Sequence, residues 1–124
     1  MRLRHFHQKE FTCNCGCGTM DMDITFLQNL DNARELAGIP FKITSGRRCK
    51  DHNRNIGGVD DSDHLYGVAS DIEVYGESGR NRYLIVSSLI LAGFDRIGVY
   101  KEFIHAGMSS SDTDNSPDVM WLES

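Results

Sequence analysis

Residues 23–38 carry the strongest folding instruction in the chain. Asp23 can cap a helix start, and Phe26, Leu27, Leu30, Ala33, Leu36 and Ala37 follow at helical spacing. Gly38 can close the helix in the left-handed conformation. A helix with one apolar stripe needs a surface to lie on, and the remaining segments supply it. Residues 41–45 read as a short strand stopped by Gly46, and residues 49–55 as a short helix ending before Gly57-Gly58. Residues 68–74 alternate weakly, as a half-buried strand does. Ser78 can cap a second long helix whose buried side is Leu84, Ile85, Ser88, Leu89 and Ala92, ending at Gly93. Residues 97–100 and 103–106 read as a hairpin with Lys101-Glu102 at its turn, and residues 119–122 as a last strand. The predicted fold is α+β: a small, mostly antiparallel sheet with helices packed on one side.

A chain of 124 residues with 40% apolar and 25% charged residues suits one compact domain, taken here as 1–124. The longest apolar stretch, residues 83–92, is interrupted by Ser87 and Ser88, so no membrane span is expected. A net charge of −5 argues against a nucleic-acid partner but leaves room for a small electropositive pocket. The basic start Met1-Arg2-Leu3-Arg4-His5 lacks the apolar core of a signal peptide. The expectation is a protein made in the cytoplasm without a secretion signal. His5 and His7 read as surface residues. Residues 109–117 form a polar loop.

Chemistry concentrates in Ser62-Asp63-His64-Leu65-Tyr66-Gly67-Val68-Ala69-Ser70-Asp71. His64 and Asp71 lie seven residues apart across a glycine turn and the start of a strand, and His105 sits on a different strand. Two imidazoles and a carboxylate are a common ligand set for hydrolytic Zn²⁺, leaving a fourth position open. The acidic run Asp60, Asp61 and Asp63 reads as a solvated loop, with Asp63 a second choice of acid or base.

The stretch Ser62-x-His64-x-x-Gly67-x-Ala69-x-Asp71 resembles the S-x-H-x-x-G-x-A-x-D signature of the zinc D-alanyl-D-alanine carboxypeptidase family. That family includes phage endolysins and shares its fold with the Hedgehog signalling domain. Ile43-Thr44-Ser45-Gly46-Arg47-Arg48, His52-Asn53, Gly57-Gly58 and Phe103-Ile104-His105 are similar to further family segments in the same order. The resemblance implies Zn²⁺ on His64, Asp71 and His105. It implies Arg48 facing a substrate carbonyl or carboxylate, and Glu102, three residues before the third ligand, as general base. Ser62 is a further substrate-side or supporting residue. Two positions depart from the family pattern: Gly107 stands where many members have an aspartate (H-x-D), and Arg47 replaces an aromatic. Strict strand alternation would also place Glu102 and His105 on opposite faces unless the strand bends.

The implied activity is hydrolysis of a peptide bond in peptidoglycan stem peptides by a monomer acting on the cell wall. The enzyme would be of carboxypeptidase or phage-endolysin type, encoded by a phage or prophage. A zinc-containing wall-binding module without turnover and a phage structural part are the rival readings. Cys13, Cys15, Cys17 and Cys49 are the four cysteines. Reduced thiols are the first reading, with a structural Zn²⁺ or one disulfide to Cys49 as alternatives.

Overall fold

The computed structural model describes residues 3–111, 113 and 115–123. Met1 and Arg2 of the basic start, and Asp112 and Asp114 of the polar loop, lie outside the described residues, as does Ser124. Among the described residues three helices, α1 (Ile24–Ala37), α2 (Lys50–Asn55) and α3 (Gly79–Leu91), accompany five strands. The strands are β1 (Ile43–Ser45), β2 (Ala69–Glu73), β3 (Arg96–Val99), β4 (Phe103–Gly107) and β5 (Val119–Leu122). Short 3₁₀ turns, Gln8–Phe11 and Asp63–Tyr66, stand outside the elements expected from the sequence.

The helix ends form as their cap residues dictate. The Asp23 carboxylate accepts from the Phe26 amide at 2.8 Å, Ser78 accepts from Asn81 at 3.1 Å, and Gly38 closes α1 at φ 70°. Phe26, Leu27, Leu30, Ala33 and Ala37 are buried on α1, but Leu36 is 57% exposed. One residue from Ala37, it is rotated about 100° around the helix and falls off the stripe. Each large apolar side chain buried here contributes on the order of 1.5–3 kcal/mol. On α3, Ile85, Ser88 and Leu89 are buried, and Leu84 and Ala92 pack at the edge of the same core.

The sheet order is β1-β2-β4-β3-β5. Every pairing is antiparallel except β3 with β5, which is parallel. Register decides what faces where. In the β2–β4 ladder Asp71 lies opposite His105, and the next pair is Ile72 opposite Ile104. Neighbouring pairs point to opposite faces. Ile72 and Ile104 therefore join the core shared with α1 and α3, while Asp71 and His105 share the face turned away from it. A bulge at Thr44 shifts β1 against β2, so Ile43 pairs with Ile72 but Ser45 with Asp71. The N-terminal segment is strapped to α1 by Asp31, whose carboxylate accepts from the amides of Arg4 and His5 at 3.0 and 2.9 Å.

Candidate metal centre and cleft

Three elements deliver the predicted ligands to one point. His64 comes from the 3₁₀ turn, Asp71 from β2 and His105 from β4. Gly67, at φ 72°, ends the turn and aims the chain into β2. A side chain there would also strike the Asp21 carbonyl. The spacing of the motif thus reflects one tight turn between a loop ligand and a strand ligand.

The Asp71 Oδ1 atom lies 3.3 Å from His64 Nε2 and 3.2 Å from His105 Nδ1. Zinc bonds to nitrogen or oxygen of about 2.0–2.1 Å, in tetrahedral geometry, place neighbouring donors about 3.3 Å apart. The donor set therefore fits Zn²⁺ in both chemistry and spacing. His64 Nδ1 is 2.7 Å from the Gly46 carbonyl oxygen. A carbonyl can only accept, so Nδ1 carries the proton and Nε2 presents its lone pair to the site. Burial pushes the Asp71 carboxyl up, but its contacts with His105 and His64 outweigh this and hold it well below the usual carboxylate range.

The far side of His105 holds a residue whose environment the sequence misrepresents. Asp63 is not solvated: it is 3% exposed. Its Oδ2 accepts from Arg96 Nε at 2.7 Å and lies 3.6 Å from His105 Nε2, and its Oδ1 accepts from Asn115 Nδ2 at 2.6 Å. Burial opposes its ionisation, yet the His105, Arg96 and Asn115 contacts keep its pKa below the ordinary value. In the same way burial would lower the His105 pKa, and Asp63 and Asp71 together raise it. Gly107 explains why Asp63 fits. A Cβ at Gly107 would sit 3.0 Å from Asp63 Oδ2 and 3.1 Å from His105 Nε2. The space in which a side chain at 107 would begin is thus bordered by a carboxylate delivered from position 63.

Arg48 lines the same cleft. Its NH1 donates to Asn53 Oδ1 at 3.2 Å and reaches Ser62 Oγ at 3.5 Å, and its NH2 is 3.7 Å from Asp71 Oδ2. Asn53 in turn donates to the Val59 carbonyl, so the loop after α2 braces the guanidinium. Burial lowers the Arg48 pKa and Asp71 partly restores it. Ser62 also accepts from the His64 amide at 3.3 Å, which places it in the frame of the turn as well as on the cleft wall.

Glu102 is exposed at the turn between β3 and β4 and is not among the residues that line the cleft. Phe103 and His105 face the cleft, and alternation sends the odd-numbered side chains of β4 one way. Arg47 likewise leaves the metal site, donating instead to the Asp21 carbonyl.

The cleft itself has a volume of about 280 Å³. One wall is aromatic: Tyr100 stacks on Phe103 at 4.2 Å between ring centres, and Trp121 Nε1 donates to the Tyr100 hydroxyl at 3.0 Å. Arg96 lies over the Trp121 ring at 5.7 Å. The sequence reading missed Arg96, Asn115, Tyr100 and Trp121. No local motif marks them, because they meet the site through β3, β5 and the loop between β4 and β5. The four cysteines form a second cluster, with all thiols free.

A two-histidine, one-carboxylate centre on the exposed face of a small antiparallel sheet, opening onto an arginine-flanked cleft, defines a metallopeptidase type of site. The chain belongs to the Peptidase M15 family, whose model matches residues 4–107 and so includes all three ligands and Arg48. That family is zinc-dependent. No curated protein sequence matches the chain significantly.

Proposed function

We propose that this peptidase hydrolyses a peptide bond in peptidoglycan stem peptides, with Zn²⁺ on His64, Asp71 and His105. The observation that carries the reading is the convergence of the trio, with Asp71 at 3.3 and 3.2 Å from the two imidazoles, on a cleft lined by Arg48 and Arg96. Stem peptides are rich in carboxylates, and a guanidinium pairs with a carboxylate through two parallel hydrogen bonds.

When bound, Zn²⁺ supplies a Lewis acid that polarises the scissile carbonyl and makes water a nucleophile near neutral pH. The protein's own groups do the rest. The Gly46 carbonyl fixes which nitrogen of His64 faces the metal, and the Asp63 carboxylate lies 3.6 Å from the far nitrogen of His105. Arg48, held by Asn53 and Ser62, binds the substrate carboxylate or the developing oxyanion with its remaining donors. Tyr100, Phe103 and Trp121 give the peptide an apolar wall that excludes water from one side. The enzyme acts as a monomer on the cell wall, without a nucleic-acid or membrane partner.

Mass spectrometry of peptidoglycan fragments digested by the zinc-loaded protein tests the reading. Release of terminal D-alanine identifies a carboxypeptidase, and cleavage within the stem or cross-bridge an endopeptidase. Unchanged fragments, with the trio loaded, would overturn it.

A further inference from the structure

The motif that the cleft leaves unused is Cys13-Asn14-Cys15-Gly16-Cys17-Gly18, together with Cys49. Cys13 Sγ lies 3.5 Å from Cys15 Sγ and 3.8 Å from Cys49 Sγ, and Cys15 and Cys49 are 3.6 Å apart. Cys17 completes a set of four sulfurs all within 4.8 Å of one another. A tetrahedral site with Zn–S bonds of about 2.3 Å has edges of about 3.8 Å. The three measured edges fit that figure. A disulfide would draw one pair to about 2.05 Å and leave two thiols over, whereas the near-equal spacing favours no pair.

The loop is built to bring its cysteines together. Gly16 and Gly18 have φ of 87° and 86°, and nothing lies within 4 Å of where their Cβ atoms would be. Both glycines therefore serve the left-handed backbone rather than a tight space. Amides also point at sulfur: Cys49 N–H donates to Cys13 Sγ at 3.5 Å, and His52 N–H to Cys49 Sγ at 3.4 Å. Such outer bonds offset the negative charge of thiolates and orient them toward a metal. Cys15 and Cys17 are exposed, so a metal ion has a path in.

We propose that Cys13, Cys15, Cys17 and Cys49 bind one Zn²⁺ as a tetrathiolate structural site, separate from the cleft. Binding releases the thiol protons to solvent, one for each S–H that becomes S⁻, with no change of oxidation state. The site clamps the 13–18 loop to the residue that follows Arg48. Arg48 N–H in turn donates to the His64 carbonyl oxygen at 3.0 Å. The clamp thereby holds the backbone that carries both the cleft arginine and a cleft ligand.

The test uses the full chain with the cleft ligands removed as His64→Ala/His105→Ala, which isolates the thiol site. Elemental analysis should find about one zinc per chain, and none after Cys15→Ser/Cys17→Ser is added. Cobalt(II) titrated into the reduced chain should give thiolate-to-metal charge-transfer absorption and the d–d bands of a tetrahedral four-sulfur site. Zinc should also slow alkylation of all four thiols. These spectra can be taken on the unaltered chain as well, so a serine variant that fails to fold leaves the proposal testable. No thiolate charge-transfer band with cobalt, or unchanged alkylation with zinc, would overturn it. So would a disulfide found in the zinc-treated protein by mass spectrometry. In the unaltered chain, failure of the cleft to bind any metal while the cobalt signature of the thiol site is kept would count against the peptidase reading and not against this site.

Discussion

The protein carries two clusters of metal-ligating side chains, and they differ in almost every respect. The His64–Asp71–His105 trio is drawn from a turn and two strands spread over 42 positions of sequence, it is buried, and it opens onto a cleft. The cysteine cluster takes three of its four members from one loop of five residues, and two of them are exposed. The trio offers three donors and leaves a position for a reactant, whereas the cysteines offer four and leave none. A site that performs chemistry needs rigid elements to fix its donors and a second layer to fix their tautomers. A site that clamps can be made from a local loop, because its donors need only converge.

Replacing ligands breaks the comparison most directly. His64→Ala is expected to abolish hydrolysis and remove the cleft metal while the thiols remain able to bind theirs. Metal analysis alongside turnover checks this. Loss of all metal from both clusters on this one change would show that they are not independent.

Arg48 bridges the two regions, since it lines the cleft and precedes Cys49. Arg48→Lys keeps the charge and loses the fork. If the guanidinium stabilises the oxyanion, kcat should fall on the order of 10²-fold or more. If it anchors a substrate carboxylate equally in ground and transition states, KM should rise with kcat little changed. Steady-state kinetics on stem peptides with free and amidated C-termini separates the two roles.

The outer layer of the trio gives the next effect. Asp63→Asn retains the shape but removes the negative charge that lies 3.6 Å from His105 Nε2. Metal affinity or turnover should drop by about 10–100-fold, and zinc competition with a chelator measures it. An unchanged affinity would mean that Asp63 serves Arg96 and the fold alone.

The smallest effect is expected at Glu102. A general base is worth roughly 10²–10⁴-fold, but this carboxylate lies outside the cleft. Glu102→Gln should therefore change turnover by less than about tenfold. A larger loss with zinc retained would place the side chain in the reaction after all.

Most of the fold could be read from the sequence because its signals are local. Asp23, Gly38 and Ser78 cap the helices they were expected to cap, and β5 occupies residues 119–122 as expected. The trio was legible because one tight turn fixes the spacing of His64 and Asp71. Asp63 was not legible. Beside Asp60 and Asp61 it looks like part of a hydrated run, and its partners Arg96 and Asn115 are 33 and 52 residues away. The role expected of Glu102 rests on its offset of three from His105, and the residue stands just before β4, at an exposed turn. Leu36 shows the same limit on a helix, where apolar character alone does not fix the angle of a stripe.

The parallel pairing of β5 with β3 has an engineering consequence. Trp121 reaches the cleft only because Gly98, its partner in the ladder, has no side chain, since a Cβ there would collide with the indole. Residues 115–122 also lie beyond the segment that matches the family, which ends at residue 107. Grafting a different ending after β4 would reshape the aromatic wall and leave all three ligand positions in place, provided that position 98 is redesigned together with whatever replaces the tryptophan and that the hydrogen bond from Asn115 to Asp63 is kept.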